Sequence, residues 1–117
     1  IYSVNKKTGK LNWKTIIYDE ENSQNSLLSV AESQNGVVVM TTEKFLKINT
    51  NGKIIIDKKT EEIPMGNLFY CNDWYYFLTE KGNLKRLNTD LNQEEIFYKG
   101  INIDPNHRID NTYFYAE

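Results

Sequence analysis

Soft metal ligands are almost missing from this sequence, with one cysteine, Cys71, and one histidine, His107, in 117 residues. A lone cysteine closes no internal disulfide, and the two residues together supply too few ligands for a structural zinc site, so a disulfide scaffold and a zinc module are both excluded. No apolar run is long enough to cross a bilayer as a helix and no charged-then-apolar leader opens the chain, so no direct membrane insertion is expected. Basic residues number 14 against 16 acidic ones, for a formal charge of -2 at pH 7. That balance builds no face able to neutralise a run of phosphates, and nucleic acid is not an expected partner. Also missing are a glycine-rich phosphate loop, a nucleophile elbow and a metalloprotease helix. No catalytic, cofactor-binding or metal-binding residue is therefore assigned, and no cofactor is expected.

What the chain does have is an internal repeat. Residues 38–43 read VVMTTE, residues 75–80 read YYFLTE and residues 112–117 read TYFYAE, each copy 37 positions after the last. A second group follows the first: LKIN at 46–49 and LKRLN at 84–88, with YSVN at 2–5, each closing on an asparagine (Asn5, Asn49, Asn88). After each asparagine comes a polar turn (KKTGK at 6–10, TNGK at 50–53, TDLNQ at 89–93) and then another apolar run. A fixed period of a few tens of residues is the signature of a repeat architecture.

Short β-branched and aromatic runs punctuated by Asn-Gly and Thr-Gly predict hairpin-linked antiparallel strands, because these residues tolerate the positive φ that tight primed turns demand. Asn35-Gly36 and Asn51-Gly52 are the clearest turns. The runs are too closely spaced for crossover helices, which excludes a parallel α/β sheet. Residues 26–34 (SLLSVAESQ) contain good helix formers and could make a short helix capped by Ser26; their place in the period favours a strand. The strands group as two, four, four and two: a half blade at 1–18, blades at 26–59 and 67–100, and a half blade at 105–117. The expected fold is thus all-β, with antiparallel four-stranded β-propeller blades, about three blades' worth of strands in one repeat region. Because the chain starts within one strand-like run and stops at the end of another, it is expected to be part of a longer propeller.

The first repeat, SVNKKTGKLNW at 3–13, resembles the quinoprotein-like (PQQ-type) propeller motif, in which an aliphatic-Asp pair leads into a Thr-Gly turn and a strand bearing tryptophan. Thr8, Gly9 and Trp13 match; Asn5 stands where the family has aspartate, and the later repeats keep only Asn49 and Asn88. The resemblance implies that the glycine makes the hairpin and that Trp13 docks between adjacent blades. It also implies, weakly, an extracytoplasmic location. Fold does not carry function, and three readings compete. The leading one is a non-catalytic binding or scaffolding module for a protein or peptide partner. The others are a fragment of a quinoprotein dehydrogenase and a luminal sensor domain of the stress-kinase type. Two complete and two half blades are too few to close a ring, so a homodimer is a further expectation, in which half-blade edges of two copies pair to give six blades.

Individual residues read as structural. His107, Asp104, Asn106 and Asp110 fall in DPNHRID, where a turn is favoured over a general base or a calcium loop because the spaced ligand order is absent. Residues 74–77 (WYYF) read as a buried central strand, matched with 37–40 in the preceding repeat, in preference to a stacking platform. The acidic pairs Glu20-Glu21, Glu61-Glu62 and Glu94-Glu95 read as solvated surface. Cys71 reads as a buried inert thiol.

Overall fold

The computed structural model describes residues 1–17 and 25–99. These residues form ten strands and no helix: β1 (Tyr2–Val4), β2 (Leu11–Lys14), β3 (Leu27–Ser33), β4 (Gly36–Thr41), β5 (Lys44–Asn49), β6 (Ile54–Lys59), β7 (Pro64–Cys71), β8 (Trp74–Thr79), β9 (Leu84–Asn88) and β10 (Glu94–Tyr98). All pairings are antiparallel between neighbours in sequence. They give a two-stranded hairpin β1–β2, a four-stranded sheet I (β3-β4-β5-β6) and a four-stranded sheet II (β7-β8-β9-β10). The segment that balanced between helix and strand is β3. Its alternating burial lets one side of Leu27–Ser33 pack while its backbone pairs with β4, and that tertiary gain outweighs the local helix propensity.

The turns after Asn5, Asn49 and Asn88 are present, and the structure shows what each asparagine does; the turn expected at Asn35-Gly36 lies one residue earlier, at Gln34-Asn35, because Gly36 pairs with Ser33 and opens β4. The backbone N–H groups of Lys7 and Thr8 donate to Asn5 Oδ1 at 2.9 and 3.1 Å. Those of Asn51 and Lys53 donate to Asn49 Oδ1 at 2.9 and 3.0 Å, and those of Asn92 and Gln93 to Asn88 Oδ1 at 2.9 and 3.0 Å. The side chain thus occupies turn donors that no ladder satisfies, and Asn5, Asn49 and Asn88 are equivalent places in three repeats. Between β7 and β8 the two-residue turn is Asn72-Asp73, with φ of 48° and 69°. It is a primed turn made without glycine by the two residue types that best tolerate left-handed backbone. Strand β7 begins at Pro64, three residues before the run expected from sequence. Proline is tolerated at a first strand position, and the irregularity between Met65 and Phe69 absorbs Gly66 at φ 70°.

The ladders correct the period. Gly36 pairs with Asn49 in sheet I and Trp74 with Asn88 in sheet II, so Gly36 and Trp74 hold the same place, 38 positions apart, and Asn49 and Asn88 stand 39 apart. A one-residue slip turns a strand's side chains over. Val38 and Met40, aligned with Tyr75 and Phe77 by the 37-residue motif, instead meet them from the opposite sheet in one core with Phe45, Leu68, Leu87 and Leu91. Phe45 and Phe77 touch with ring centroids 4.8 Å apart. On its other side sheet I presents Val39, Leu46 and Ile48 to Ile1, Trp13 and Ile17 of the first hairpin and the stretch after it. The hairpin, sheet I and sheet II therefore stack in series, sheet I using one face toward the hairpin and the other toward sheet II. The last two strands expected from sequence, in 105–117, lie outside the described residues.

Candidate functional site

Two junctions hold the three layers together, and they solve one problem with different residues. At the first, Trp13 Nε1 donates to the Thr50 carbonyl at 2.9 Å, and Thr15 Oγ1 donates to the Gly52 carbonyl. Gly52 lies so close under the indole that a Cβ there would stand 2.7 Å from Trp13 Cγ and Cδ2. At the second, Lys47 Nζ donates to the Thr89 carbonyl at 3.1 Å. Thr89 follows Asn88 as Thr50 follows Asn49, so the same turn carbonyl accepts a side-chain hydrogen bond from the layer before it at both junctions.

The apolar partners exchange size across this equivalence. By ladder register Ile56, opposite Lys47, takes the place of Trp13, opposite Ser3. Leu91, whose N–H donates to the Asn88 carbonyl as that of Gly52 does to Asn49, takes the place of Gly52. Indole over glycine at the first junction becomes isoleucine beside leucine at the second, where Ile56 and Leu91 share the inter-sheet core. Leu91 keeps the left-handed backbone of the glycine it replaces, φ 58°, and is held there by a side chain only 2% exposed.

With no indole across its mouth, the second junction opens at the turn end into a cleft of about 140 Å³ lined by Ser33, Gln34, Lys47, Tyr70, Asp73, Tyr75, Thr89 and Asp90. Tyr70 and Tyr75 form one wall, their rings 4.9 Å apart. Tyr75 OH donates to the Glu32 carbonyl at 2.8 Å and Tyr70 OH to Asp73 Oδ1 at 3.0 Å. Burial raises the Tyr75 pKa above its ordinary value, and the bond to Asp73 raises that of Tyr70, so both phenols are protonated, neutral hydrogen-bonding groups at physiological pH. Small-molecule sites usually enclose roughly 300–1,000 Å³. A cleft of this size takes one side chain or a short polar fragment.

The opposite end of the junction is closed by ions. Lys85, with a side chain 5% exposed, meets Glu61 Oε2 at 3.0 Å, Glu62 Oε2 at 3.7 Å and Glu94 Oε2. Burial opposes the charge on Lys85, but its hydrogen bonds to Glu94 and Glu61 raise its pKa overall. Burial raises the pKa of Glu94, whose Oε1 is buried without a partner, and hydrogen bonds from Glu94 and Lys85 lower that of Glu61. The acidic pairs are thus not uniformly solvated. Glu94 (2%) and Glu62 (12%) turn inward to the ammonium while Glu61 (62%) and Glu95 (50%) stay in water. The lysine explains the difference, since a buried ammonium needs carboxylates around it.

The other sequence candidates separate. Within β8, Tyr75 and Phe77 are buried in the inter-sheet core, whereas Trp74 and Tyr76 are half-buried on the opposite face. Cys71 is half-buried at the end of β7. His107, Asp104, Asn106, Asp110, Glu20 and Glu21 lie outside the described residues. Apart from Tyr75, the cleft residues were not singled out by sequence, because they come from three turns and four strands. The available signal was the departure of the second repeat from the Thr-Gly…Trp pattern, which marks the junction lacking an indole. No protein-family model, curated protein or solved structure matches the chain. Among the described residues no group of three or more His, Cys, Asp or Glu could hold a metal ion, and no helix is long and apolar enough to cross a membrane.

Proposed function

We propose that this chain is a run of propeller-type blades acting as a non-catalytic binding or scaffolding module, which receives a side chain of a protein or peptide partner in the cleft between sheets I and II. The blade reading is supported by two four-stranded antiparallel meanders in series and by the repeated lock between layers, and it extends the resemblance of residues 3–13 to the quinoprotein-like repeat. The single observation that carries the binding reading is the cleft itself. It stands at the turn end, where loops present residues to a partner, and combines an aromatic wall with the Lys47 ammonium and the Asp73 and Asp90 carboxylates. Its volume suits a side chain better than a whole metabolite.

The test is selection of a random peptide library on the immobilised full chain, followed by titration of the enriched peptides. Tyr70→Ala and Lys47→Met are expected to weaken the selected peptides tenfold or more, as hot-spot truncation does, with β-sheet circular dichroism unchanged. Enriched peptides indifferent to both variants would place binding elsewhere and remove this reading.

A further inference from the structure

The donors and acceptors of the cleft between sheets I and II narrow the choice of guest. Both phenol hydrogens of its wall are committed, that of Tyr75 to the Glu32 carbonyl and that of Tyr70 to Asp73 Oδ1. The two tyrosines therefore offer a guest oxygen lone pairs and ring faces, and Tyr70 is 44% exposed. Among the described residues no ion pair involves Asp73 or Asp90. Asp73 still offers Oδ2, and Asp90 offers both carboxylate oxygens. Lys47 does not cancel them, because its ammonium is anchored on the Thr89 carbonyl at 3.1 Å, in the turn that carries Asp90. Two carboxylates against one ammonium leave the lining acidic and rich in acceptors.

The same chain shows what a ring beside a carboxylate holds. On the opposite face of sheet II the Arg86 guanidinium lies 4.0 Å from the Trp74 ring centroid and pairs with Glu95. The cleft repeats the ring and the carboxylate, and none of its lining residues is an arginine. Resting on the binding reading above, we propose that the guest of the cleft is an arginine side chain of a protein or peptide partner, its guanidinium held by Asp73 and Asp90 over the Tyr70 ring. A guanidinium suits the site better than an ammonium, since it is planar, stacks on an aromatic face and meets a carboxylate with paired N–H groups. An acidic guest would gain Lys47 and be repelled by both carboxylates. An apolar guest would take water from Asp73 and Asp90 and return no donor.

The peptides selected on the full chain supply the test. Arginine is expected at one fixed position of those that lose affinity with Tyr70→Ala. Exchanging it for citrulline, which keeps the shape and carries no charge, is expected to weaken binding roughly tenfold. In the protein, Asp90→Asn is expected to weaken the arginine peptide about fivefold and to leave the citrulline peptide within about twofold, a coupling that a loosened turn would not produce. An acidic or apolar residue at the fixed position of peptides that respond to Tyr70→Ala would overturn the arginine assignment and leave the cleft a binding site. Equal losses for the arginine and citrulline peptides with Asp90→Asn, or no loss for either, would do the same. Peptides indifferent to both Tyr70→Ala and Lys47→Met would instead remove the binding reading, and the arginine assignment with it.

Discussion

Trp13 and Thr50 stand 37 residues apart and are joined by one hydrogen bond, indole Nε1 to backbone carbonyl at 2.9 Å. Lys47 and Thr89 repeat the arrangement one layer later with an ammonium in place of the indole. What recurs between layers is the accepting turn, not the donor. This explains how the structural repeat persists where the sequence repeat fades.

The indole and Gly52 are coupled. Gly52→Ala introduces a Cβ 2.7 Å from the ring at φ 83°, combining steric conflict with left-handed strain of about 1–2 kcal/mol. In the Trp13→Ala background only the strain remains. The cost of Gly52→Ala, measured by urea unfolding, is expected to be larger with Trp13 present by roughly 1 kcal/mol or more. Equal costs in the two backgrounds would mean that the ring does not lie over Gly52.

Leu91 opposes backbone preference to burial. Leu91→Gly relieves a left-handed residue by about 1–2 kcal/mol but empties a buried leucine site, for which large-to-small changes cost about 2–5 kcal/mol. The second effect is larger, so the variant is expected to be less stable by roughly 1–3 kcal/mol. Denaturant midpoints decide it, and a gain in stability would place the side chain outside the inter-sheet core.

The Lys85 cluster predicts a pH dependence with two limbs. Glu94 has a native pKa raised above its ordinary 4.5, so the native state holds that proton to higher pH than the unfolded chain. The stability it contributes is present below 4.5 and lost as pH rises through the native value. Glu61 has a native pKa lowered from 4.5, so its contribution is present above 4.5 and lost as pH falls. Glu94→Gln mimics the protonated acid. Its stability relative to the parent is expected to improve as pH rises from about 4.5 through the native value of Glu94 and then to level off. A difference independent of pH across that range would show that Glu94 is not buried as described.

How much of this was legible depended on whether the signal was local. The strands, the asparagine turns and the strand at β3 followed from alternation, punctuation and period. The register did not, because Thr41 and Thr42 are consecutive and either can be matched with Thr79. The sequence match took Thr42, whereas the ladders take Thr41, and the extra residue enters the longer turn between β8 and β9. The inward turn of Glu94 was equally hidden, since it depends on Lys85 lying across the strand pair and on Glu61 and Glu62 arriving from another connection. The cleft depends on residues far apart in the chain, and Asn72-Asp73 escaped notice as a primed turn because it contains no glycine.

The central claim is that successive layers stack in series with a 38-residue offset in their second strands, so that Met40 faces sheet II. A methyl-aromatic NOE experiment on protein labelled at methionine methyl groups, with protonated rings in a deuterated background, reads this without mutation. Cross-peaks from the Met40 methyl to Phe45 and Phe77 are the result this account predicts. Cross-peaks from that methyl to Trp13 and the Ile17 side chain instead would put Met40 on the other face of sheet I and contradict it.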